Sequence, residues 1–158
     1  MTTDRPSWDL LAYRLPREPS TPRIALWRRL RRLGAAQLVD GLVALPHTAA
    51  NLEQLEWAAE EVAEAGGEAT IWLATSTSKA QDRALAQQVR SAASADYLTI
   101  IEAAQAATTG DPVARRRTLK RLRRTLRAVD ARAHFRPPEA EHAHNAVERL
   151  AAAAEVTA

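Results

Sequence analysis

Residues 36–46 read Ala36-Gln37-Leu38-Val39-Asp40-Gly41-Leu42-Val43-Ala44-Leu45-Pro46. Asp-Gly between two short apolar runs is the strongest local hairpin signal, because the favoured two-residue turn needs residues that tolerate positive φ. A β-bulge within one bent strand is the other reading of Gly41. Both readings make the stretch extended, and its neighbours decide which sheet it joins.

Upstream, Thr21-Pro22 opens a helix over about residues 22–33, with Thr21 as N-cap, Pro22 at the first helical position and Gly34 as the C-terminal cap. Ile24, Leu26, Trp27, Leu30 and Leu33 fall largely at spacings of three and four. Before it, residues 7–15 read as a strand stopped by Pro16. Downstream, residues 48–65 form an acidic amphipathic helix with Leu52, Leu55, Ala59 and Val62 inward, closed by Gly66-Gly67. Residues 69–75 are rich in strand formers. The order β-α-β-β-α-β over residues 7–76 predicts a ferredoxin-like unit: a four-stranded antiparallel sheet with two helices on one face.

Beyond Ser76 the pattern is helical. Ser78 caps a helix over about 79–94, and Tyr97-Leu98-Thr99-Ile100-Ile101 ends it or opens another. Gly110-Asp111-Pro112 is a break, with Asp111 as cap. Leu119, Leu122, Leu126, Val129 and Ala133 then alternate at three and four, a narrow seam suited to helix packing. Pro137-Pro138 ends that helix, residues 139–154 form the last one, and the tail 156–158 frays. The expected class is α+β: a ferredoxin-like unit over 7–76 and a helical region over 77–155, ending in a helical hairpin and packed on it as one compact domain.

The 158 residues include no cysteine, which excludes disulfides, thiolate metal sites and a cysteine nucleophile. No apolar run approaches the ~20 residues of a membrane span, and the N-terminus lacks the apolar core of a signal peptide. A soluble, cytoplasmic protein is expected. No phosphate loop, nucleophile elbow or zinc-protease pair is present, so no enzyme, cofactor or metal site is expected. His142 and His144 stand two apart, on nearly opposite sides of a helix, and cannot share one ion there. His47 reads as a strand-end or turn residue. A nuclease of the CRISPR-associated ferredoxin-like kind would need a metal-binding acid at the end of the first strand, and Asp9 stands alone inside it.

Charge is segregated along the chain. Residues 48–68 hold six glutamates and no basic residue, whereas residues 111–136 hold ten basic residues against Asp111 and Asp130. Only Lys79 and Lys120 are lysine, an arginine bias that a G- and C-rich genome would also produce. Arg116, Lys120, Arg123 and Arg127 follow i, i+4, i+7, i+11 and make one stripe, with Arg117, Arg121 and Arg124 in a second beside it. Such stripes neutralise phosphates, so DNA binding is the direct reading. Arg28 and Arg32, on the first helix, are secondary candidates, weighed against neutralisation by the acidic helix. Trp8, Trp27, Trp57 and Trp72 read mainly as core or interface residues, with Trp57 the one expected at an exposed interface.

Trp8-Asp9-Leu10-Leu11, Leu15-Pro16, Arg23-Ile24-Ala25-Leu26-Trp27-Arg28-Arg29-Leu30, Leu33-Gly34-Ala35 and Gly41-Leu42-Val43-Ala44-Leu45-Pro46 resemble the N-terminal domain of ChrB, the chromate-resistance regulator. The likeness continues through Leu119-Lys120-Arg121-Leu122-Arg123-Arg124 and Asp130 to Pro138, covering roughly residues 8–150. A more distant likeness is to the C-terminal part of PaaX-type repressors, whose ferredoxin-like unit dimerises. The resemblance implies a transcriptional regulator of a chromate efflux transporter, here without the chromate-sensing C-terminal domain of full-length ChrB, and a homodimer is expected. The rival expectation is an interaction or sensor subunit whose arginines bind chromate, a sulfate-like dianion or an acidic protein.

Overall fold

The Asp40-Gly41 turn is a hairpin. In the computed structural model, which describes residues 4–156, Ala36–Val39 (β2) and Leu42–Pro46 (β3) pair antiparallel around it. Gly41 has φ +79°, and a Cβ there would lie 2.5 Å from the Tyr13 carbonyl oxygen. Only glycine satisfies both conditions. The Tyr13 N–H donates to the Gly41 carbonyl at 2.8 Å, fastening the turn to Ser7–Arg14 (β1).

The chain is mixed α/β, with a four-stranded antiparallel sheet and five helices among the described residues. After β1 come α1 (Thr21–Arg32), β2, β3, α2 (Ala49–Glu64), β4 (Glu68–Thr75), α3 (Lys79–Ala107), α4 (Pro112–Arg132) and α5 (Glu139–Glu155). The sheet order is β2-β3-β1-β4. The chain divides into two compact units, one ending at Val89 and the other starting at Arg90. The unbroken helix α3, Lys79–Ala107, spans this division.

In the first unit, strand alternation sorts the sheet's faces. Leu11, Val43 and Leu45 face Leu26 and Leu30 of α1 and Leu55, Ala58 and Val62 of α2, forming one core. On the other face, Trp8 is 2% exposed and meets the start of α3, where Asp82, Leu85 and Val89 are also buried. In the second unit, Tyr97, Ile100 and Ala104 of α3 share a core with Leu119, Leu122, Leu126 and Val129 of α4 and with Ala143, Val147 and Leu150 of α5. At ~1.5–3 kcal/mol per buried aliphatic side chain, this seam is what holds α4 in place.

Three local expectations are corrected. Thr21 is the first residue of α1 rather than its cap; Ser20 takes the cap position without a side-chain hydrogen bond. Residues 94–101 do not interrupt α3, because no glycine or proline stands there and Tyr97 and Ile100 are buried against α4 and α5. Of the four tryptophans only Trp8 is core; Trp27 and Trp72 are 52% and 60% exposed, while Trp57, at 49%, is exposed as expected. Trp27 and Trp57 lie on outer helix faces under Arg31 and Arg29, with guanidinium-to-ring distances of 5.2 and 5.9 Å. The last two residues of the tail expected to fray, 157 and 158, lie outside the described residues.

Candidate nucleic-acid interface

α4 starts at a built cap. Asp111 accepts from the Ala114 N–H at 3.0 Å, and Pro112 occupies the first turn, where its missing N–H costs nothing. Leu119, Leu122, Leu126 and Val129 are buried along one side. The 3.6-residue period then turns the residues between them outward. Arg116, Arg117, Lys120, Arg121, Arg123, Arg124 and Arg127 are all exposed. The main stripe, Arg116 to Arg127, runs about 16 Å along the axis at 1.5 Å per residue.

The structure separates these seven from Arg115 and Arg132. Arg115 turns inward and donates to the Ala153 and Gly110 carbonyls, each at 2.8 Å, tying the start of α4 to the end of α5. Arg132 is paired with Asp96 of α3 at 2.5 Å. None of the seven stripe residues enters an ion pair among the described residues. They form a concentrated cationic face whose charge the second unit leaves unanswered.

Arg28 and Arg32 stand on α1 in the first unit, both exposed. Their neighbour Arg29 is ion-paired with Glu61 of α2 and lies over Trp57, so the acidic helix answers one arginine of α1 rather than the whole cluster.

Several polar groups escaped sequence reasoning. Asp9 is 1% exposed on the helix-facing side of β1, and its Oδ1 lies 2.7 Å from His47 Nδ1. His47 is thus a tether between β1 and the turn before α2, where Thr48 Oγ1 caps the helix by accepting from Asn51 N–H at 3.0 Å. In the second unit, the Tyr97 hydroxyl donates to Asp130 Oδ1 at 2.8 Å, and His144 Nε2 lies 2.9 Å from Asp130 Oδ2. Burial, then the Asp130 hydrogen bond, pushes the Tyr97 hydroxyl up to about 12. Burial pulls His134 below the usual histidine range. His142 is exposed while His144 faces α4, as residues two apart on a helix must diverge. The Asp9–His47 and Tyr97–Asp130 pairs join residues more than thirty positions apart, and no spacing rule announces them. Among the described residues, no group of three or more His, Asp or Glu is placed to hold a metal ion, and no helix is long and apolar enough to cross a membrane.

Comparison with known proteins gives one family. The model described as "Protein ChrB, N-terminal" matches residues 23–110, from α1 through the whole of α3 to the break before α4. No curated protein and no solved structure matches. The matched span carries the Asp-Gly hairpin, the acidic helix and β4, and it stops short of the cationic helix. It takes in more than half of the chain, and the chain belongs to the ChrB N-terminal family, the chromate-resistance family whose residues it resembles.

Proposed function

We propose that the chain is a non-catalytic DNA-binding module of a chromate-resistance regulator, acting as a homodimer in the cytoplasm. In this reading β1–β4 with α1 and α2 are a ferredoxin-like unit, for which the strand order β2-β3-β1-β4 speaks, and α4–α5 is a helical hairpin that presents the cations.

The observation that carries the reading is the α4 face: seven exposed basic side chains on one helix, with no ion pair among the described residues. Side chains at this density attract phosphates and release their counterions. Arg116, Lys120, Arg123 and Arg127 supply the main phosphate contacts, and Arg117, Arg121 and Arg124 support them. Arg28 and Arg32 are a secondary basic cluster.

Fluorescence anisotropy with the native upstream duplex and a scrambled duplex, across a salt series, tests this. Preference for the native duplex near physiological salt supports a specific regulator. Equal and steeply salt-dependent binding to both reduces the helix to an unselective cation. No binding at low salt overturns the DNA reading and turns attention to chromate, sulfate or an acidic protein, which calorimetry with the two oxyanions then resolves.

A further inference from the structure

β4 forms one edge of the sheet, with β1 as its only neighbour among the described residues. Its register with β1 is unbroken from Ser7–Thr75 to Arg14–Glu68. Soluble proteins guard such edges with charge, proline, a bulge or short length, because the free backbone groups of an open edge pair with any strand that arrives. The opposite edge is guarded: β2 has four residues, and its register shifts between Gln37 and Val39. β4 has no proline and no bulge, and its one charge is its first residue, Glu68. It is eight residues long, and residues 69–78 contain neither a charge nor a proline.

The side chains point the same way. Trp72 and Leu73 are 60% and 66% exposed, and as strand neighbours they project from opposite faces. Trp72 lies opposite Leu10 of β1, next to an apolar groove of about 500 Å³ lined by Trp8, Leu10, Leu38, Ala74 and Leu85. The strand's one charge, Glu68, is answered by Arg14 at 2.9 Å.

We propose that β4 is the surface on which a second copy of this chain docks, the two β4 strands pairing antiparallel about a two-fold axis. The strand is complementary to itself in that arrangement. With Trp72 opposite the second copy's Trp72, Ile71 meets Leu73 and Thr70 meets Ala74, so the central rungs carry only apolar or neutral pairs. Like faces stay together, and the two sheets continue as one. Because Glu68 is already neutralised, no like charge opposes the approach of an identical edge, as it would for an edge guarded by lysine. A two-fold contact also closes on itself, which leaves no β4 edge to propagate a fibre. The inference rests on the homodimer in the proposed function and not on DNA binding.

The test is made on the whole chain without DNA, so its failure is distinguishable from failure of the DNA reading. Sedimentation velocity over a concentration series compares the wild type with Trp72→Glu and Leu73→Lys. Both sites are more than half exposed, so neither change removes core, and circular dichroism checks the fold. The expected result is a reversible dimer whose Kd rises about ten-fold or more in each variant. Because the chain has no cysteine, Trp72→Cys gives a single thiol, and residues directly opposed in antiparallel strands stand about 4.5–5.5 Å apart at Cα, within disulfide reach. That variant should oxidise to a covalent dimer faster than Trp57→Cys on α2. A monomer at every concentration overturns the proposal. So does a dimer indifferent to both substitutions, or cross-linking at position 72 no faster than at 57.

Discussion

Trp8 Nε1 donates to Asp82 Oδ1 across 3.3 Å, joining the second residue of β1 to the first turn of α3. Both side chains are buried, at 2% and 8% exposure. The same carboxylate accepts from Ser76 Oγ and lies 3.5 Å from Arg5 Nε, so one buried acid gathers the N-terminal segment, the end of β4 and the start of α3. Asp82→Ala should remove the acceptor of the Trp8 indole N–H and the carboxylate that faces Arg5, costing about 2–4 kcal/mol in urea unfolding. Asp82→Asn keeps an acceptor and should cost less than Ala. If Ala and Asn are equal and mild, the carboxylate is not what seats α3 on the sheet.

Gly41→Ala combines a positive φ with a Cβ 2.5 Å from the Tyr13 carbonyl. The backbone conformation alone costs about 1–2 kcal/mol for an L-residue, and the clash adds to it. Thermal unfolding should show a loss of at least about 2 kcal/mol. Gly34→Ala, where φ is +73° and nothing lies within 4 Å, should lose only the conformational part.

Tyr97 gives a pH signature. Its hydroxyl is pushed up to about 12 from 10 by burial and by the bond to Asp130. Below pH 10 the group is protonated in both states, and its stabilisation is fully present. Between pH 10 and about 12 the unfolded chain loses the proton while the folded chain keeps it, so stability falls as pH rises. Tyr97→Phe should be less stable at neutral pH, through loss of the Asp130 bond. It should also show a shallower alkaline decline between pH 10 and 12, leaving the part due to Tyr13, whose hydroxyl is likewise raised by burial and by Asp40. Urea midpoints at pH 8, 10 and 11.5 test both, and an unaltered decline in the Phe variant would assign it to other groups.

Arg116→Ala, Lys120→Ala and Arg123→Ala combined should leave folding within about 1 kcal/mol of wild type, because all three are exposed and enter no described ion pair. DNA affinity should fall across all sequences, and the slope of log K against log salt should flatten by about 3. Leu122→Ala, one residue from Arg123 and 2% exposed, should instead cost about 2–5 kcal/mol of stability. The two outcomes separate a binding face from a packing face on the same helix. Unchanged DNA binding in the triple variant would make the stripe incidental.

The local reading succeeded where one short-range rule dominates. Asp40-Gly41 specified the hairpin, Asp111-Pro112 specified the start of α4, and the leucine spacing specified which side of α4 is buried, because turn sterics, capping and helical period act within a few residues. The seven stripe residues of α4 were legible for the same reason: if the leucines face in, the cations between them face out. Thr21 was misread because Ser20 and Thr21 are both competent caps, and nothing in the local sequence chooses between them. The reading of Tyr97 to Ile101 as a possible break failed because β-branched and aromatic residues lower helix propensity only slightly, and packing against α4 and α5 outweighs that.

What the sequence by itself determined is the order of strands and helices, the Asp-Gly hairpin and the inward face of α4. Only the tertiary structure decided the partners: Asp9 with His47, Trp8 with Asp82, Tyr97 with Asp130, and Arg115 and Arg132 withdrawn from the cationic face while seven others stay in water. It alone left Trp72 and Leu73 exposed on an open edge, although the strand that holds them reads like any buried one. The reason is physical. Periodicity and capping are near-neighbour effects encoded along the chain, whereas the partner of a buried polar group, and the neighbour an edge strand lacks, are set by which distant segments the sheet order brings together.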